Sequence, residues 1–584
     1  MADNVSWSTR KERFLNRTHA RTARWTGSAT AFTTTPEPRT IGSFARGRQI
    51  NGGNFLFAGY LVQDPGTAIW DLPMPDESFE VELHGFTWLD DLAAVGDMHA
   101  ARHAQDWTHG WVQRFSNGQG PGWTPDLTGR RLIRWINHSI LLLNGKDADV
   151  STAYFKSLSQ QTVFLARRWK AASPGLPRFE ALTGLIYAGL ALEGMDKHVS
   201  VATHALAREC KAEIDADGGL VTRSPEELLD VFTLLNWAAD AVRDAGGVPD
   251  EAITKSIAAM APVLRALRHS DGGLARFHGG GKGMEGRLDR ALATAAIRGM
   301  ASHDRCMGYA RISHGRTSLI VDAAPPPERA ASANAHASTL AMEITSGRRP
   351  LIVNCGSGAT FGRSWRRAGR ATPSHSTLGI EGYSSSRLGG AGQLKDNEAE
   401  LLIETPQEVG FERMEVEGGT RIVVGHDGYV ATHGLTHVRT LHVGFDGRAI
   451  QGEDVLLARS EVDKRKFDLM FDKSRLKGVP FSIRFHLHPH VDATLDMNAT
   501  AVSMALKSGE LWVFQMQGPV DMEVESSVYL EKSRLSPRAT KQVVLSGYAV
   551  EYATRVSWSL AKTQDTPNAI RDYDVEDTAM LVAD

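Results

Sequence analysis

Cysteine is scarce in this sequence. The 584 residues include three cysteines, Cys210, Cys306 and Cys355, and no two of them form a C-x-x-C pair. An odd number of widely spaced cysteines argues against a disulfide framework and against a zinc ribbon. The fold must therefore depend on the packing of its hydrophobic side chains, which make up 42% of the residues.

Long apolar runs are absent as well. No run reaches the about 18 residues that a membrane-spanning helix needs. The first 45 residues are polar and lack the apolar stretch of a secretory signal. From these absences we expect a cytoplasmic protein without a transmembrane segment.

Neither sign of charge is in large excess. The 65 Lys and Arg residues against 68 Asp and Glu residues give a formal net charge of −3. This balance gives no general attraction to nucleic acid, so we expect no nucleic-acid partner. A local basic groove for an acidic polysaccharide is still compatible with it.

The middle of the chain, from about residue 90 to residue 301, has helical periodicity. Its clearest helix is predicted over Glu226–Arg243, where Ser224 is the expected N-cap, Pro225 the first helical residue and Glu227 the partner in a capping box. The apolar stripe of this helix consists of Leu228, Phe232, Leu235, Ala239 and Val242.

A weak repeat supports a helical array in this region. Asp217-Gly218-Gly219-Leu220 returns 54 residues later as Asp271-Gly272-Gly273-Leu274, and each copy lies between helix-like segments. A period near 50 residues with two helices is typical of stacked helical hairpins, in a solenoid or in a closed α/α toroid.

After about Arg305 the pattern changes to short β-branched or alternating segments bounded by turn residues, which predicts a large antiparallel β-domain. We place an N-terminal arm over residues 1–45, a helical domain over 46–304, the β-domain over 305–560 and a polar tail over 561–584. The Pro-rich Ala323–Arg329 is expected to be a loop within the β-domain. The predicted strands are Thr317–Asp322, Thr339–Ile344, Pro350–Val353, Thr377–Ile380, Arg421–Val424, Arg439–Val443, Phe481–Leu487 and Glu510–Gln515.

Residues 331–382 are the stretch richest in chemistry. Its strands are expected to place His336, Asn354 or Cys355, and His375 at their ends or turns. Side chains of these types, brought together from separate strands, could form a metal site or an acid–base site. The alternatives are two histidines with satisfied hydrogen bonds and a buried, inert cysteine.

The order of motifs N-A-H-A-S-T-L, L-I-V-N-C-G, S-H-S-T-L and G-L-T-H-V-R-T-L resembles the heparinase II/III-like family. In the helical domain, W-L-D-D-L at Trp88–Leu92 and the D-G-G turn at Asp217 add to the resemblance, which extends from roughly Phe44 to Leu560. It implies an incomplete (α/α) toroid followed by a large antiparallel β-sandwich. Many members of the family are polysaccharide lyases that cleave uronate-containing chains by β-elimination.

The resemblance also implies a divalent metal, most naturally zinc, held by two histidines and one aspartate. His336 and His375 match the family's histidines, but Asn354 stands where the family has aspartate. Cys355, next to it, could replace the missing carboxylate as a thiolate. The predicted metal set is therefore His336, Asn354, Cys355 and His375, with no organic cofactor.

The residues that the lyases use in catalysis are only partly kept. Asn334 replaces the first histidine of an H-x-H motif, and Glu227 stands where the family often has a tyrosine. Glu227, His278 and His437 are the candidates for proton transfer. Asn334 and Arg223 are the candidates for neutralising a uronate carboxylate during catalysis.

Three further arginines are candidates for binding the substrate. Arg178 replaces the family's neutralising residues, Arg439 completes an H-x-R motif, and Arg367 lies in the basic cluster Arg363–Arg370. For Glu227 the capping box is an alternative explanation, and for the basic cluster the alternative is a solvated loop. His486 and His488 are expected to be structural.

These assignments lead to three hypotheses of function. The first is a lyase acting on an acidic, uronate-containing glycan, and the second is a non-catalytic glycan-binding or cell-envelope protein on the same fold. The third is a glycoside hydrolase that uses Glu227 and a second acid. The family also offers the periplasm or cell envelope as an alternative location. A homodimer is kept as a candidate assembly.

Overall fold

The structure is a computed structural model. It describes residues 7–564 except 28, 35–37, 300–302, 390–399, 497–499, 533 and 535. Within these limits no helix is both long enough and apolar enough to cross a membrane. Most of the predicted polar tail lies outside the described residues.

The N-terminal part is helical, with one small hairpin of β1 (Asn54–Phe57) and β2 (Tyr60–Gln63). Its helices are α1 (Trp7–Ala23), α2 (Phe44–Asn51), α3 (Glu77–His84), α4 (Thr87–Val95), α5 (Met98–Phe115), α6 (Pro125–Asn137), α7 (Ser139–Leu143), α8 (Ala148–Arg168), α9 (Leu176–Ala191), α10 (Val199–Glu213), α11 (Pro225–Asp244), α12 (Glu251–Ala266) and α13 (Arg287–Ala295).

These helices form an incomplete (α/α) toroid, as the sequence predicted. Helix α9 packs against α6, α8, α10 and α11. Its crossing with α6 is close because two glycines face each other: a Cβ on Gly184 would lie 2.4 Å from the Cα of Gly129. The Ser224 side chain accepts a hydrogen bond from the Glu227 N–H and so fixes the start of α11 within one residue of the prediction.

The two D-G-G motifs form equivalent turns. Asp215 N–H donates to the Gly219 carbonyl at 2.9 Å, and 54 residues later His269 N–H donates to the Gly273 carbonyl at 2.8 Å. Both turns need a left-handed glycine, with φ of +86° at Gly218 and +92° at Gly272. The sequence repeat is therefore also a structural repeat.

The C-terminal part is a β-sandwich that also contains α14 (Arg363–Arg370), α15 (Val430–His433) and α16 (Glu461–Lys473). Its strands are β3 (Arg305–Cys306), β4 (Tyr309–His314), β5 (Thr317–Asp322), β6 (Met342–Ser346), β7 (Arg349–Val353), β8 (Leu378–Ile380), β9 (Arg387–Leu388), β10 (Leu402–Ile403), β11 (Val409–Val416), β12 (Gly419–Tyr429), β13 (Leu435–Gly444), β14 (Ala449–Leu457), β15 (Val479–Leu487), β16 (Val491–Asp496), β17 (Ala501–Leu506), β18 (Leu511–Gln517), β19 (Val520–Tyr529), β20 (Arg538–Ala549) and β21 (Ala553–Gln564).

Two large antiparallel sheets make up the sandwich. One has the strand order β11-β12-β13-β14-β21-β18-β17-β16. The other has the order β19-β20-β15-β7-β6-β5-β4-β3, with β8 paired to β15. All eight predicted strands fall on observed strands, although β6 begins at Met342 rather than at Thr339.

Two details of the β-domain concern the sequence predictions. Ala323–Arg329 is a loop after β5, as expected. The basic cluster Arg363–Arg370 is helix α14 and not a solvated loop, because the Arg366 N–H closes a helical turn onto the carbonyl of Gly362.

The apolar core joins the two domains. The core of the helical domain continues into the β-domain through Met307, Tyr309 and Ile320, which are buried against the helices. A separate core fills the sandwich between its two sheets. Burial of apolar surface therefore holds the domains together, and polar contacts add to it.

Candidate functional site

Arg223 lies at the contact between the domains, in the loop between the first D-G-G turn and α11. Its guanidinium donates to the carbonyls of Met307 (3.1 Å), Gly308 (3.1 Å), Ala324 (3.1 Å) and Pro325 (2.6 Å), and it forms an ion pair with Asp322. It also lies 4.8 Å from the ring centre of Tyr309. All of these partners belong to the β-domain. Its N–H groups are therefore already in use, an arrangement that does not favour the predicted contact of Arg223 with a substrate carboxylate.

Asp322, at the end of β5, is the buried acceptor of this contact. Ser338 donates to its Oδ2 at 2.9 Å. The nearest ring nitrogen of His278, Nε2, is 3.6 Å from the same oxygen and makes no hydrogen bond. Burial raises the pKa of Asp322 above its ordinary value, although Arg223 and Ser338 act in the opposite direction.

Three histidines form a short chain beside Asp322. The backbone N–H of His336 donates to the ring nitrogen Nδ1 of His278 at 3.1 Å. The ring nitrogen Nδ1 of His336 is 3.0 Å from His375 Nε2. His375 Nδ1 is 2.9 Å from the Ala371 carbonyl, so it carries the proton, and His375 Nε2 must accept from His336. Burial lowers the pKa of His375 to about 4. Burial also lowers the pKa values of His278 and His336 well below the ordinary value, so all three rings are neutral near pH 7.

This arrangement does not fit the predicted zinc site. The His375 nitrogen that would bind a metal accepts a hydrogen bond from His336. Asn354 is also engaged: its Oδ1 accepts from Ser376 N–H at 3.0 Å, and its Nδ2 donates to Glu343 at 3.3 Å. Within the residues that the structure describes, no group of three or more metal-binding side chains occurs. The zinc prediction awaits a measurement of metal content.

Cys355 follows Asn354 but its sulfur is directed elsewhere. Its Sγ is 3.4 Å from His486 Nδ1, and burial raises the thiol pKa to about 11. His486 is held by Ser527 (2.8 Å) and by the Pro373 carbonyl (2.9 Å), which agrees with its expected structural role. A neutral thiol in this position is a weak metal ligand and a weak nucleophile.

A second polar contact crosses the domain boundary, and the sequence reasoning did not find it. Glu343 of β6 accepts from Arg276 N–H at 3.0 Å and lies 3.2 Å from His269 Nε2. The Arg276 guanidinium lies 4.0 Å from the ring centre of Tyr529 and bonds to the Asn354 carbonyl. Burial opposes ionisation of Glu343, but His269 and Arg276 still hold its pKa below the ordinary value.

His437 and Arg439 lie inside the sandwich, away from any surface. His437 Nε2 is 2.7 Å from Asp454 Oδ1, and Arg439 bonds to the same carboxylate at 2.8 and 3.1 Å. Trp558 donates to Asp454 at 3.0 Å, and Arg439 also donates to the carbonyls of β-domain residues. Both side chains are fully buried, a position that does not favour the predicted proton transfer by His437 or the predicted substrate binding by Arg439.

The other predicted residues are scattered. Asn334 is exposed and accepts from Arg366 at 2.9 Å, Arg178 is paired with Glu209 at 3.1 Å, and Arg367 is paired with Glu400. Glu227 is half-buried, and burial, with help from neighbouring carboxylates, raises its pKa to about 7. Glu227 is the one predicted proton-transfer group among these that could exchange a proton near neutral pH.

A charged cleft of about 550 Å³ opens in the toroid beside the β-domain. It is lined by residues of α2, α3, α4, α6, α9, α11 and α13 and by Lys532 of the β-domain. Its acids and bases are equal in number: Glu82, Asp90, Asp91, Glu180, Glu226, Asp230 and Asp240 against Arg39, Arg46, Arg130, Arg134, Arg287, Arg290 and Lys532.

Most cations of the cleft are bonded to its own acids. Arg130 pairs with Glu180 at 2.7 Å, Arg134 with Asp90 at 2.9 Å and Arg287 with Asp230 at 2.7 Å. Arg39, Arg46 and Lys532 pair with Asp240, Asp91 and Glu226. The cleft therefore offers no excess positive charge to a polyanion.

The sequence contained one hint of the cleft. The W-L-D-D-L motif supplies Asp90 and Asp91, and two acids next to each other within an apolar helix segment need cationic partners if they are buried. The sequence does not indicate which cations these are, because Arg134 and Arg46 lie more than 40 residues away from the two acids, in opposite directions along the chain.

Comparison with known proteins agrees with this architecture. Residues 300–559 match the family model described as heparinase II/III-like, C-terminal. The FtsZ-localized protein C of Caulobacter vibrioides (strain NA1000 / CB15N) is 28% identical over 555 residues, which cover 90% of this chain and 89% of that protein.

Two solved structures share the whole fold. Heparinase III has a TM-score of 0.66 with 12% identity, covering 95% of this chain and 90% of that chain. The heparan sulfate lyase HepC from Pedobacter heparinus has a TM-score of 0.55 with 13% identity, covering 95% and 89%. Identities this low indicate a common fold and leave the activity open.

Proposed function

Because residues 300–559 carry the C-terminal domain of the heparinase II/III-like family, we propose that this chain is a non-catalytic protein on the lyase fold that works together with FtsZ. One observation carries the proposal. Arg223 and His278, two of the candidates for lyase chemistry, and His336 and His375, the two histidines of the predicted metal set, are buried and bonded to one another or to the partner domain.

β-Elimination needs groups that can reach the sugar. The carboxylate of the uronate has to be neutralised, a base has to remove the C5 proton and an acid has to protonate the leaving oxygen. Arg223 and the three histidines cannot supply these functions unless the domains separate. Separation would expose apolar core and break several buried polar bonds at once.

The charge balance of the cleft supports the same conclusion. A chain of uronates entering it would have to displace Glu180, Asp90 or Asp230 from its arginine. Leaving a carboxylate partly buried without its partner is costly, so an acidic glycan would gain little from binding there.

The link to FtsZ rests on the relative. The C. vibrioides protein is named for its localisation with FtsZ, and the alignment covers about nine tenths of both chains. The similarity therefore includes both domains and is not confined to the shared lyase fold. A cytoplasmic location is part of the proposal, and cell fractionation tests it.

Two measurements on the purified chain test the proposal. We expect FtsZ of the same bacterium, immobilised on a sensor, to bind the chain, and we expect no near-ultraviolet absorbance of unsaturated uronates after incubation with a panel of acidic polysaccharides. An active lyase run on the same panel is the positive control. Steady formation of unsaturated uronates, or no binding to FtsZ, would contradict the proposal.

A second candidate is favoured by one residue. Glu227 has a pKa of about 7 and is not fully buried, so it could move a proton for a lyase or a glycosidase. If the chain cleaves a glycan, the turnover should disappear in Glu227→Gln and persist in Glu251→Gln, which changes an exposed carboxylate at the start of α12.

Light scattering of the same samples would test the predicted homodimer.

A further inference from the structure

Helix α5 carries two histidines one turn apart near its N-terminus. His99 and His103 occupy positions i and i+4, which are neighbours on one face of a helix. Their ring centres are 4.5 Å apart. Two histidines at this spacing on a helix are a common way to hold a transition-metal ion. The residues between them, Ala-Ala-Arg, lack the glutamate of the zinc proteases, so the spacing points to binding and not to hydrolysis.

One ring nitrogen of His99 is bonded to the protein. His99 Nδ1 is 3.1 Å from Asn51 Oδ1, at the end of α2. Because an amide oxygen only accepts, Nδ1 carries the proton and Nε2 keeps a free lone pair. The Asp97 side chain accepts from the His99 backbone N–H at 3.0 Å and fixes the backbone there. A neighbour that holds the remote ring nitrogen of a histidine in this way is the usual support of a metal ligand.

His103 is held in a similar orientation. Its ring stacks on Trp107, with centres 4.6 Å apart and planes 10° apart. Its Nδ1 is buried and has no hydrogen-bond partner within the described residues, whereas its Nε2 is not buried. In both histidines, therefore, Nε2 is the nitrogen that is available to an ion.

The charge near the two rings suits a cation. Burial lowers the pKa of His103 and His99 adds to the effect, although Asp106 and Asp97 act in the opposite direction. The His103 ring is therefore neutral near pH 7, which is the form that binds a metal. Asp106 lies about one further turn along the same face, 69% exposed and 3.5 Å from Lys146.

This pair differs from His336 and His375 in the β-domain. There the two rings bond to each other and are buried, so the nitrogens that would bind a metal are in use. Between His99 and His103 the described structure has a ring contact without a hydrogen bond. Since no third metal-binding side chain joins them in the part of the chain that is described, water has to complete the coordination.

We propose that His99 and His103 chelate a divalent transition-metal cation through their Nε2 atoms, with water in the remaining positions. Imidazole suits Cu²⁺, Ni²⁺ and Zn²⁺, and copper is bound most tightly in this series. Mg²⁺ and Ca²⁺ prefer oxygen ligands, so a pair of nitrogens selects against them. The bound ion ties the first two turns of α5 together, and Asn51 extends this constraint to α2. The site lies within the helical domain and is independent of the proposed function.

Copper(II) iminodiacetate is the probe, because its chelator leaves room for a pair of imidazoles and discriminates against single histidines. The full-length chain, free of any tag, is first dialysed against a chelator, since a site with two protein ligands should release its metal readily. Calorimetric titration then gives the affinity and the stoichiometry, and electron paramagnetic resonance reports the nitrogens bound to copper. We expect a single equivalent of copper per chain, bound by paired nitrogens.

Three variants and one matched control test the site. His99→Gln and His103→Gln each remove a ligand and should lose the signal of paired nitrogens. Asn51→Ala removes the support of His99 and should weaken binding by about tenfold. The control is His109→Gln on the same helix, whose ring nitrogen is 2.7 Å from Gln113, and it should bind copper like the original chain. Thermal unfolding without metal verifies that every variant is folded. His99 is exposed, so His99→Gln stays informative even if His103→Gln does not fold.

Added zinc gives a second readout. It should raise the unfolding temperature of the original chain increasingly with its concentration and leave that of His99→Gln unchanged. Equal copper binding by the original chain and His99→Gln would overturn the site, and so would an equal loss in His109→Gln. Displacement of copper by excess Mg²⁺ would also overturn it, in favour of a carboxylate site at Asp97 and Asp106.

Discussion

Two buried carboxylates in this protein have the same kinds of partner and opposite electrostatics. Asp454, inside the sandwich, is bonded to His437, Arg439 and Trp558. Asp322, at the domain boundary, pairs with Arg223 and Ser338, while His278 stays 3.6 Å away. Although burial opposes it, Arg439 and His437 hold the pKa of Asp454 far below the ordinary value, whereas the pKa of Asp322 is raised.

The comparison teaches that an Asp, a His and an Arg close together do not define a catalytic site. In both places the group is sealed from solvent, and its effect is to join elements, sheet to sheet at Asp454 and domain to domain at Asp322. At Asp454 the bonds from Arg439 and His437 outweigh burial and fix a charge, whereas at Asp322 burial outweighs Arg223 and Ser338 and favours a carboxyl group that can accept a proton. The domain contact should therefore be the weaker and the more pH-sensitive of the two.

The largest effect should follow from Asp454→Asn. The change leaves Arg439 buried without its counter-ion, and breaking a buried pair in this way costs about 3–5 kcal/mol. We expect a reduction of this size in the free energy of unfolding, measured by urea titration with tryptophan fluorescence. Asp492→Asn, which changes an exposed carboxylate on β16, is the control and should cost less than about 0.5 kcal/mol. A loss below about 1 kcal/mol at Asp454 would remove the basis of the comparison.

Arg223→Met should have a smaller effect on stability. Asp322 then loses its cation, but its carboxyl group can take up a proton, so we expect a cost of about 2–3 kcal/mol that falls at lower pH. The helical domain and the β-domain should also unfold in separate calorimetric transitions. Arg243→Met, which removes a half-exposed surface pair with Asp240, is the matched control. A single transition in both variants would show that apolar contact alone couples the domains.

The three neutral histidines should make the folded state sensitive to acid. In the unfolded chain their pKa is about 6.5, and in the folded chain the pKa of His375 is about 4. The unfolded chain therefore binds more protons as the pH falls from about 6.5 to about 4. The free energy of unfolding should decrease through this window by up to about 1.4 kcal/mol per pH unit for each histidine, and these groups should have no effect above it.

The variant His375→Gln isolates one proton of this effect. Its unfolding free energy should depend less steeply on pH between about 4 and 6.5 than that of the original chain. His204→Gln, at an exposed position of α10, should keep the original slope. Equal slopes in all three proteins would mean that His375 is not neutral in the folded state.

Glu227→Gln should increase the stability of the folded chain at high pH, and this increase should be smaller than the loss that the histidines cause in acid. The folded-state pKa of Glu227, about 7, lies above the about 4.3 of an unfolded glutamate. The folded chain therefore binds more protons between these values, and Glu227 destabilises it as the pH rises. At pH 8 the variant should unfold at a temperature a few degrees higher, and at pH 4 it should match the original chain. A lower unfolding temperature at pH 8 would show that the ionised carboxylate is bonded.

The smallest effect is expected from removing metal. Because His336 and His375 bond to each other, we expect less than about 0.1 zinc per chain by elemental analysis. A chelator should leave the unfolding temperature unchanged. Stoichiometric zinc that disappears in His336→Ala would restore the metal site that the family resemblance implies.

The order of the domains and most elements of the fold could be predicted from sequence, because their signals are local. Ser224 and Pro225 mark the start of α11, and the D-G-G turns repeat because only glycine tolerates their φ angles. The motifs around His336 and His375 correctly predicted two histidines that meet. Their contact partners decide whether they bind a metal, and those partners come from other parts of the chain.

The role of Arg223 shows where sequence reasoning fails. An arginine in a loop before a helix is equally compatible with a substrate contact and with a structural contact. Its acceptors lie 84 to 102 residues further along the chain, in a turn and a Pro-rich loop with no recognisable motif. Whether its N–H groups are free depends on how the two domains dock, which no local pattern specifies.

The second D-G-G turn lies against the β-domain, since His269 within it bonds to Glu343 of β6. In repeat arrays the last unit needs a polar outer face or a cover, because its apolar side has no further neighbour. Here the sandwich provides that cover. A helical fragment ending before residue 300 would leave Leu274, Ala275 and Phe277 without their cover. Such a fragment should be insoluble when it is expressed alone, so experiments on this protein should keep both domains in one chain.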